Sequence, residues 1–274
     1  MELPLGTTTF LLQETDCVAG MREGLKDGEV DLIVTSPPYN LGVAYSEYND
    51  GQEREAYLGW TREWGAEVKR VLAEDGSLFL NVGASPKNPL LPHQLALLFS
   101  ELFVLQNTFH WVKSITVERR DGEQVSVGHF KPINSKRFVT DLHEPVFHFT
   151  KKGNVPLDRL ALGVPYQDKS NIERWEHTEG KDLRCRGNTW FIPYQTIQSR
   201  AGERPHPATF PVQLAEWCVR LAGRAAAGIT MLDPFLGIGH AAVAAENLGV
   251  GRFVGYEIDG EYLAVACEKV GVTP

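Results

Sequence analysis

The order of strand and helix patterns along the chain predicts an α/β fold with one doubly wound parallel sheet. Short apolar runs, typical of buried strands, alternate with amphipathic helical patterns over residues 1–113. The same alternation returns over residues 206–274, whereas residues 114–205 lack it and are rich in basic, aromatic, glycine and proline residues. We therefore expect both ends of the chain to build the sheet and the middle to form an inserted, irregular module.

In the first zone each element has a local signal. Asp16 is a good helix N-cap, the apolar run Val30–Thr35 stops at two consecutive prolines, and Asp75-Gly76 ends a long amphipathic pattern that begins near Tyr57. Apolar residues recur at steps of three and four in the helical stretches. This zone is predicted to contain strands over residues 8–12, 30–35, 77–82 and 103–112. Helices are predicted over residues 17–26, from residue 57 to near residue 75, and over residues 95–102.

The last zone repeats the pattern with shorter elements. Strands are predicted over residues 229–232 and 252–257, and helices over residues 211–222, 239–248 and 261–270. Strands and helices thus alternate on both sides of residues 114–205, which is what a single sheet assembled from two segments requires.

The length and composition fit a soluble globular protein. The 274 residues are 43% hydrophobic and contain no run of roughly 20 uncharged apolar residues, which a membrane span requires. The first residues lack the basic and apolar blocks of a secretion signal. The four cysteines are far apart and form no Cys-x-x-Cys pair. We therefore expect a cytoplasmic protein with no metal site and no membrane partner.

The charges are unevenly distributed along the chain. The net charge is −8, but residues 110–204 contain 16 Lys and Arg against 12 Asp and Glu, a balance of +4 that leaves −12 for the rest. A basic region on an acidic body confines the attraction for phosphate groups to one face. A chance imbalance among solvated surface charges explains the same numbers equally well.

A glycine-rich loop lies between a predicted strand and a predicted helix in the last zone. Gly237, Gly239 and Ala242 fit the pattern G-x-G-x-x-(G/A), and Glu257 ends the next strand twenty residues after Gly237. Glycines let the backbone approach a nucleotide, and an acid at that distance accepts hydrogen bonds from ribose hydroxyls. Asp233, directly before the loop, disfavours a pyrophosphate and suits a cationic ligand such as the ammonium group of S-adenosyl-L-methionine (SAM). A turn-forming Asp before a proline is the alternative interpretation.

The segment Ser36-Pro37-Pro38-Tyr39 follows a buried strand, where α/β enzymes place their chemistry. Two consecutive prolines fix the backbone, so the Ser36 hydroxyl and the carbonyl oxygens of Ser36 and Pro37 form rigid acceptors. Such acceptors fit the exocyclic amine of a nucleobase, because bonds from both its N–H groups favour the pyramidal form whose lone pair attacks a sulfonium methyl. Tyr39 would stack on a base that is flipped out of the duplex. A proline-rich turn or a peptide ligand for a partner domain is the alternative interpretation.

Three motifs stand in a fixed order along the chain: Ser36-Pro-Pro-Tyr39, Arg204-Pro-His-Pro-Ala-Thr-Phe-Pro211 and Asp233-Pro-Phe-Leu-Gly-Ile-Gly239. In this order they resemble the beta class of DNA amino-methyltransferases, and the resemblance covers nearly the whole chain. That class has a circularly permuted, Rossmann-like SAM-dependent methyltransferase fold. The resemblance implies a catalytic half over residues 1–113, a target-recognition region over residues 114–205 and a SAM-binding half over residues 206–274.

The resemblance also implies a role for each motif. The residues that hold the target base would be Ser36, Pro37, Pro38 and Tyr39. The cofactor-binding residues would be Asp233, Pro234, Phe235, Gly237, Gly239, His240 and Glu257, with His206, Pro207 and Phe210 in a segment that closes over SAM. Trp111 and Lys113 resemble the strand that ends the first half, and residues 187–193 resemble the stretch that ends the recognition region.

Two places depart from the family pattern. Ile238 and His240 stand where relatives commonly have a small hydroxyl residue. Either His240 holds the methionine carboxylate of SAM, or it is an ordinary residue of the first helical turn. Val43 stands where many relatives have a basic residue, which weakens any phosphate contact there.

The serine before Pro-Pro-Tyr bears on the choice of target base. It is similar to enzymes that methylate cytosine at N4, whereas Asp or Asn is usual for adenine N6. The sequence therefore favours site-specific cytosine-N4 methylation of duplex DNA by base flipping, with adenine-N6 methylation as the alternative. Two other interpretations stay open: an RNA guanine-N2 or small-molecule amine methyltransferase, which usually places the cofactor loop first, and a DNA-binding module with a vestigial site.

The middle region is expected to select the target sequence. Its basic residues are candidates for phosphate or base contacts, with solvated surface charge as the alternative for each. They are Arg119, Arg120, Lys131, Lys136, Arg137, Lys151 and Lys152. Trp175, His177, Arg184, Arg186 and Trp190 either read base edges or form a small core. The partners to consider are double-stranded DNA and, by analogy alone, a second copy of the chain and a cognate restriction endonuclease.

Overall fold

The computed structural model describes residues 8–42, 47–128, 134–193 and 209–273. Its strands are β1 (Thr9–Glu14), β2 (Val30–Thr35), β3 (Leu72–Asn81), β4 (Val104–Val112), β5 (Ile115–Glu118), β6 (Gln124–Val127), β7 (His143–Thr150), β8 (Thr189–Phe191), β9 (Thr230–Asp233) and β10 (Arg252–Glu257). Its helices are α1 (Cys17–Gly24), α2 (Arg54–Val71), α3 (Leu91–Ser100), α4 (Ser170–Arg174), α5 (Val212–Leu221), α6 (His240–Leu248) and α7 (Gly260–Lys269). Every strand and helix that the sequence predicts in the two outer zones is present, and Asp16 caps α1 through its side chain. The predicted end of α2 near Asp75 is wrong, because the chain continues into β3 directly after Val71.

Eight of the described strands form one sheet in the order β1-β10-β9-β2-β3-β7-β4-β8. The five strands from β1 to β3 in this order are parallel, β7 runs antiparallel to β3 and β4, and β8 is parallel to β4. The two outer zones meet where Leu32 and Ile33 of β2 pair with Met231 and Leu232 of β9. The prediction of a sheet assembled from both ends of the chain is confirmed.

Helices cover both faces of this sheet. On one face α1, α2 and α3 pack through a cluster that includes Met21, Trp64 and Phe99. On the other face α5 and α6 pack through Leu214 and Ala245, together with α7. None of the described helices is long and apolar enough to cross a membrane. Since both faces are covered, the carboxyl ends of the parallel strands form the edge where open α/β sheets bind ligands.

The middle zone differs from the expected irregular module. Its strand β7 lies between β3 and β4, and β8 lies at the sheet edge, so two of its segments belong to the main sheet. The sequence does not predict β7, whose apolar run is interrupted by His148, a buried residue hydrogen-bonded on its two ring nitrogens to Asn107 and Ser77. Because these partners satisfy the imidazole, a polar residue is tolerated inside the strand. The β5–β6 hairpin lies outside the main sheet, as the prediction of an insertion requires.

Two aspartates join the outer zones at opposite ends of the β2–β9 pair. Asp31 accepts a hydrogen bond from the Thr230 backbone N–H at 2.9 Å and pairs with Arg224 at 2.7 Å. At the carboxyl end, the buried Thr35 hydroxyl donates to the buried Asp233 carboxylate over 2.7 Å. The loops that follow β2 and β9 are therefore held side by side.

Candidate active site

One pocket opens at the carboxyl edge of the sheet, between the loops that follow β2, β9 and β10. Its cavity volume is about 130 Å³, and the pocket is open to solvent at its mouth. We call residues 36–39 the catalytic loop and residues 233–239 the cofactor loop. The sequence-predicted residues that line the pocket are Ser36, Pro37, Pro38, Tyr39, Phe210, Pro234, Phe235, Gly237, His240 and Glu257. The catalytic loop and the cofactor loop thus share one cleft.

The cofactor loop depends on its glycines. Gly237 and Gly239 both have positive φ angles, 53° and 80°, which L side chains rarely adopt. A Cβ added to Gly239 would lie 2.8 Å from the Cβ of Ala266. The glycines therefore let the backbone of the cofactor loop turn closely against α7.

Glu257 is oriented by backbone groups on both of its carboxylate oxygens. Its Oε2 accepts from the Gly237 N–H at 2.7 Å, and its Oε1 accepts from the N–H groups of Ile258 and Asp259 at 3.0 and 3.1 Å. Burial raises the pKa of Glu257 above its usual value. Oε2 accepts only one of these bonds and keeps a second lone pair, so the fixed carboxylate can still accept a ribose hydroxyl.

Asp233 lies beneath the pocket and not on its wall. It is 1% exposed, and its Oδ1 accepts both from the Thr35 hydroxyl at 2.7 Å and from the Phe235 N–H at 3.0 Å. These bonds fix the first turn of the cofactor loop relative to β2. The structure shows the contacts by which Asp233 supports the cofactor loop, with Thr35 and Phe235. A direct contact between Asp233 and a cationic ligand stays a prediction.

Aromatic rings form a further part of the pocket wall. The Trp60 ring lies 5.6 Å from Phe235 in an edge-on arrangement and 5.5 Å from Tyr48, measured between ring centroids, and all three residues line the pocket. Flat apolar walls in the same cleft as the oriented Glu257 carboxylate fit a nucleoside, because a purine needs apolar contact and a ribose needs an acceptor. The residues present therefore fit SAM. From the sequence, Trp60 is predicted only as part of an apolar helix face.

His240 ties the segment before α5 to the cofactor loop. Its Nδ1 lies 2.6 Å from the carbonyl oxygen of Phe210, and since a carbonyl only accepts, Nδ1 carries the proton. His240 thus anchors Phe210, a role that the sequence does not predict. A contact of His240 with the SAM carboxylate stays a prediction. His206 and Pro207, predicted to close over the cofactor, lie outside the described residues.

Hydrogen bonds from Tyr57 and to Asp50 anchor the catalytic loop and the residues directly after it. The sequence does not predict either residue as part of the site. The Tyr57 hydroxyl donates to the Pro38 carbonyl oxygen at 2.8 Å. Directly after the loop, the backbone N–H groups of Asn40 and Leu41 donate to the two carboxylate oxygens of Asp50, at 2.7 and 3.0 Å. Asn40 has a φ of 53°, so the chain turns sharply there. The two prolines and these anchors make the loop a rigid support for Ser36.

The functional end of the catalytic loop forms a polar network with β3 and β7. The Tyr39 hydroxyl lies 2.6 Å from Ser36 Oγ, 3.3 Å from the Asn81 carbonyl oxygen and 3.4 Å from Glu144 Oε2. The Asn81 amide nitrogen donates to Glu144 at 3.0 Å, and Lys113 pairs with the other Glu144 oxygen. No described donor reaches the buried Oδ1 of Asn81. Asn81 and Glu144 are absent from the sequence-based site, because nothing in their local patterns distinguishes them from ordinary strand ends.

The family assignment rests on a match that covers most of the chain. Residues 30–268, from β2 into α7, match the family of N6 and N4 methyltransferases described as DNA methylase. The chain belongs to the DNA methylase family. It is a SAM-dependent DNA methyltransferase, as the resemblance of its motifs implies.

Relatives and solved structures agree with this family. The chain is 25% identical over 254 residues to the type II methyltransferase M.HpaI of Haemophilus parainfluenzae, covering 90% of this chain and 70% of that protein. It is 24% identical over 258 residues to the DNA adenine methyltransferase YhdJ of Escherichia coli (strain K12), covering 89% and 76%.

Among solved structures, the PvuII DNA methyltransferase, named as cytosine-N4-specific, is similar with a TM-score of 0.69 at 18% identity, covering 96% of this chain and 87% of that one. The DNA modification methylase TTHA0409 of Thermus thermophilus, in complex with SAM, is similar with a TM-score of 0.61 at 24% identity, covering 97% and 93%. The predicted methyltransferase fold is confirmed.

The predicted DNA-contacting residues of this methylase fall into two groups. Arg119 and Arg120 are exposed at the turn of the β5–β6 hairpin, and Lys136 and Arg137 are exposed shortly before β7. The hairpin follows the carboxyl end of β4 and β7 begins there, so these four lie at the site edge of the sheet. The other group, Lys151 and Lys152, follows β7 at the opposite edge, and both pair with Glu74 at 3.4 Å. Lys131 and Val43 lie outside the described residues.

Two other candidates from the middle zone have structural contacts. Trp190 is fully buried and stacks on Phe109 with ring centroids 4.3 Å apart. Arg186 donates to the Leu162 carbonyl oxygen and lies over the Trp217 ring, 4.7 Å from its centroid. Of the two interpretations left open by the sequence, these contacts support the core role for Trp190, whereas Arg186 is exposed and neither interpretation is decided for it.

Asp233 makes the stability of the ligand-free methylase depend on pH. Burial raises the pKa of this carboxyl from its usual 3.8 to about 7. Between these values the folded chain keeps a proton that the unfolded chain releases, so the free energy of unfolding falls as the pH rises from about 4 to about 7. A shift of this size is worth roughly 4 kcal/mol.

Asp233→Asn keeps an acceptor oxygen and removes the titration. We expect the difference in unfolding free energy between wild type and this variant, from urea denaturation, to fall over that pH range; a constant difference contradicts the prediction.

Proposed function

We propose that this methylase transfers the methyl group of SAM to the exocyclic N4 amine of cytosine in duplex DNA. The observation that carries the proposal is the neutral Ser36 hydroxyl, which lines the same cleft as the cofactor loop and has its Oγ 2.6 Å from the Tyr39 hydroxyl. A neutral hydroxyl suffices to accept one N–H bond from the weakly basic cytosine amine. The cytosine-N4-specific name of the PvuII relative supports the same choice.

In this proposal each part of the cleft has its own task. When bound, SAM supplies a sulfonium methyl group. Glu257 and the aromatic wall hold the nucleoside part of the cofactor, and Ser36 Oγ with the Pro37 carbonyl oxygen accepts the two amine N–H groups of the flipped base. These bonds favour the pyramidal nitrogen, and the rigid loop holds it in line with the methyl carbon. The Tyr39 ring provides a face for the base.

Adenine N6 is the second candidate target. YhdJ, which is similar over 89% of this chain, is named a DNA adenine methyltransferase. A serine hydroxyl accepts an N–H bond from adenine N6 as readily as from cytosine N4. Size alone does not decide either, because the cleft is open at its mouth.

Digestion of methylated DNA distinguishes these targets. The methylase is incubated with isotopically labelled SAM and unmodified bacterial DNA, the DNA is hydrolysed to nucleosides, and labelled bases are identified by mass spectrometry. We expect labelled N4-methylcytosine. Labelled N6-methyladenine alone would overturn the base choice but not the DNA methyltransferase activity. Label in RNA and none in DNA would favour the RNA alternative.

We further propose that residues 114–142 and 151–188 select the DNA sequence, while β7 and β8 of the same region support the sheet. Arg119, Arg120, Lys136 and Arg137 are the proposed phosphate contacts, since they are exposed at the edge where the base must enter. The type II name of M.HpaI supports a cognate restriction endonuclease as a functional partner. A second copy of the chain remains a proposed partner by analogy with relatives.

Salt dependence tests this DNA surface. Each contact between a Lys or Arg and a DNA phosphate contributes about 0.9 to the slope of log Kd against log salt, so removing one contact lowers the slope by that amount. Replacing Lys136 and Arg137 by Gln is therefore expected to reduce the slope by about 2, measured by fluorescence anisotropy with duplex DNA. Replacing Lys151 and Lys152 by Gln removes the same charge at the opposite edge and should leave the slope unchanged. Equal effects of the two double variants would contradict the assignment.

A further inference from the structure

The proposed reaction needs a proton acceptor that the catalytic loop does not contain. When the amine nitrogen forms its bond to the methyl carbon, the carbon–sulfur bond breaks and the nitrogen carries a positive charge until it loses a proton. The Ser36 hydroxyl is neutral and is a poor base on its own. A carboxylate that contacts this loop among the described residues is Glu144, on strand β7, whose Oε2 lies 3.4 Å from the Tyr39 hydroxyl.

We propose that Glu144 is a positioning residue that orients the hydroxyls of Tyr39 and Ser36 and receives, through them, the proton that leaves the amine. This inference rests on the proposed methyl transfer and applies to either target base. It assigns to the middle zone, expected only to read DNA sequence, a direct part in the chemistry. Glu144 does not line the cofactor pocket, so its effect on transfer is separable from cofactor binding.

The direction of the hydroxyl chain follows from its acceptors. Glu144 Oε2 and the Asn81 carbonyl oxygen, at 3.4 and 3.3 Å from the Tyr39 oxygen, only accept hydrogen bonds. Either hydroxyl can donate the 2.6 Å contact between Ser36 and Tyr39; in the proposed arrangement the single Tyr39 proton points toward these acceptors and Ser36 donates to the Tyr39 oxygen. The lone pairs of Ser36 Oγ are then left to accept an N–H bond from the base. Such long contacts commonly tighten when substrate binds.

The surroundings keep the Glu144 carboxylate in place. The Glu144 side chain is 13% exposed, and Glu144 is the β-ladder partner of Trp111 between β4 and β7. Lys113 donates to one carboxylate oxygen and the Asn81 amide nitrogen donates to the other. Gly83 leaves the space that the contact requires, since a Cβ there would lie 2.6 Å from the Tyr39 ring and 2.9 Å from Glu144 Oε1. A carboxylate with two donors aimed at it is preorganised as an anion.

The proton balance is simple. The amine proton passes to Ser36 Oγ as the Ser36 proton passes to the Tyr39 oxygen and the Tyr39 proton to Glu144 Oε2. Both hydroxyls end as hydroxyls, with their protons exchanged. The products are a neutral methylated amine, a neutral thioether on the cofactor and a protonated Glu144. No further reactant is needed, and the carboxyl returns its proton to water after product release.

Glu144→Gln tests the proposal at nearly constant shape. Because Lys113 and Asn81 donate to the two oxygens, either orientation of the new amide sets its NH₂ group against a donor, and the glutamine cannot accept the proton. We expect the single-turnover rate of methyl transfer to DNA to fall about 100-fold, with the SAM affinity, measured by calorimetry, within about threefold of wild type. Glu74→Gln, a lysine-paired carboxylate at the opposite edge, is the control and should retain the full rate.

A double-mutant cycle separates this role from a merely structural one. Tyr39→Phe keeps the aromatic ring and removes the hydroxyl that links Glu144 to Ser36. If Glu144 acts through that hydroxyl, Glu144→Gln should cost less than about threefold in the Tyr39→Phe background.

An equal loss in both backgrounds, or an unchanged rate in either single variant, overturns the inference. Should Glu144→Gln not fold, the rate of Tyr39→Phe alone decides, because we expect it to fall at least tenfold. A wild-type protein that transfers no methyl group to DNA would instead overturn the proposed function.

Discussion

Ser36→Ala is expected to lower the rate of methyl transfer by two to four orders of magnitude while SAM affinity stays within about threefold. In the proposed mechanism the hydroxyl is the acceptor that favours the reactive form of the amine, and general acid–base groups contribute about 10²–10⁴ to a rate. The removed oxygen contacts Tyr39 and not the cofactor loop. The rate is measured in single turnover with labelled SAM and duplex DNA, and the affinity by calorimetry.

A matched control is available on the same chain. Ser100 ends α3 and donates to the Ala96 carbonyl oxygen at the surface, so Ser100→Ala removes an equivalent group far from the cleft. It should leave both the rate and the affinity unchanged. A Ser36→Ala variant of normal rate would refute the assigned role of the serine, whatever the base.

Asp233→Ala is expected to weaken SAM binding about 100-fold. The substitution leaves two buried donors, the Thr35 hydroxyl and the Phe235 N–H, without their acceptor, and each unsatisfied donor costs about 1–3 kcal/mol. The first turn of the cofactor loop then loses its anchor to β2, and binding has to restore the loop. Since about 1.4 kcal/mol is a factor of ten in affinity, calorimetry resolves the effect.

Asp31→Ala provides the comparison that isolates this effect. Asp31 also joins β2 to the last zone, through Thr230 and Arg224, but at the other end of the strand pair. Both variants should unfold at lower urea concentration, and only Asp233→Ala should lose affinity for SAM. Equal losses of affinity would show that general loosening of the sheet, and not the anchor of the cofactor loop, controls binding.

The fold of the outer zones and half of the site were accessible from sequence because their signals are local. Val30–Thr35 is an apolar run that ends at two prolines, and the cofactor loop combines glycines with a strand before and a helix after it. Those patterns constrain the backbone within a few residues. The meeting of Ser36 with the cofactor loop then follows from the strand order of a sheet built from both ends.

The rest of the site depends on contacts between distant segments. Glu144 reaches Tyr39 because β7 inserts antiparallel between β3 and β4, and the polar residues around its apolar run obscured that strand. The anchoring of His240 by Phe210 likewise joins residues on different elements. A local pattern indicates that a residue begins a strand or a helix, but not which side chain from another part of the chain it will meet.

The bond between Thr35 and Asp233 spans 198 residues of sequence, and this separation matters during synthesis. When β2 has left the ribosome, one side of it presents unpaired peptide groups until β9 is made, and such an open edge is a template for adhesion between chains. Pairing over so long a loop is also slow. Newly made chains therefore carry this open edge of β2 until residues 230–233 of β9 have been synthesised. We expect holding chaperones and low growth temperature to raise the yield of the recombinant enzyme.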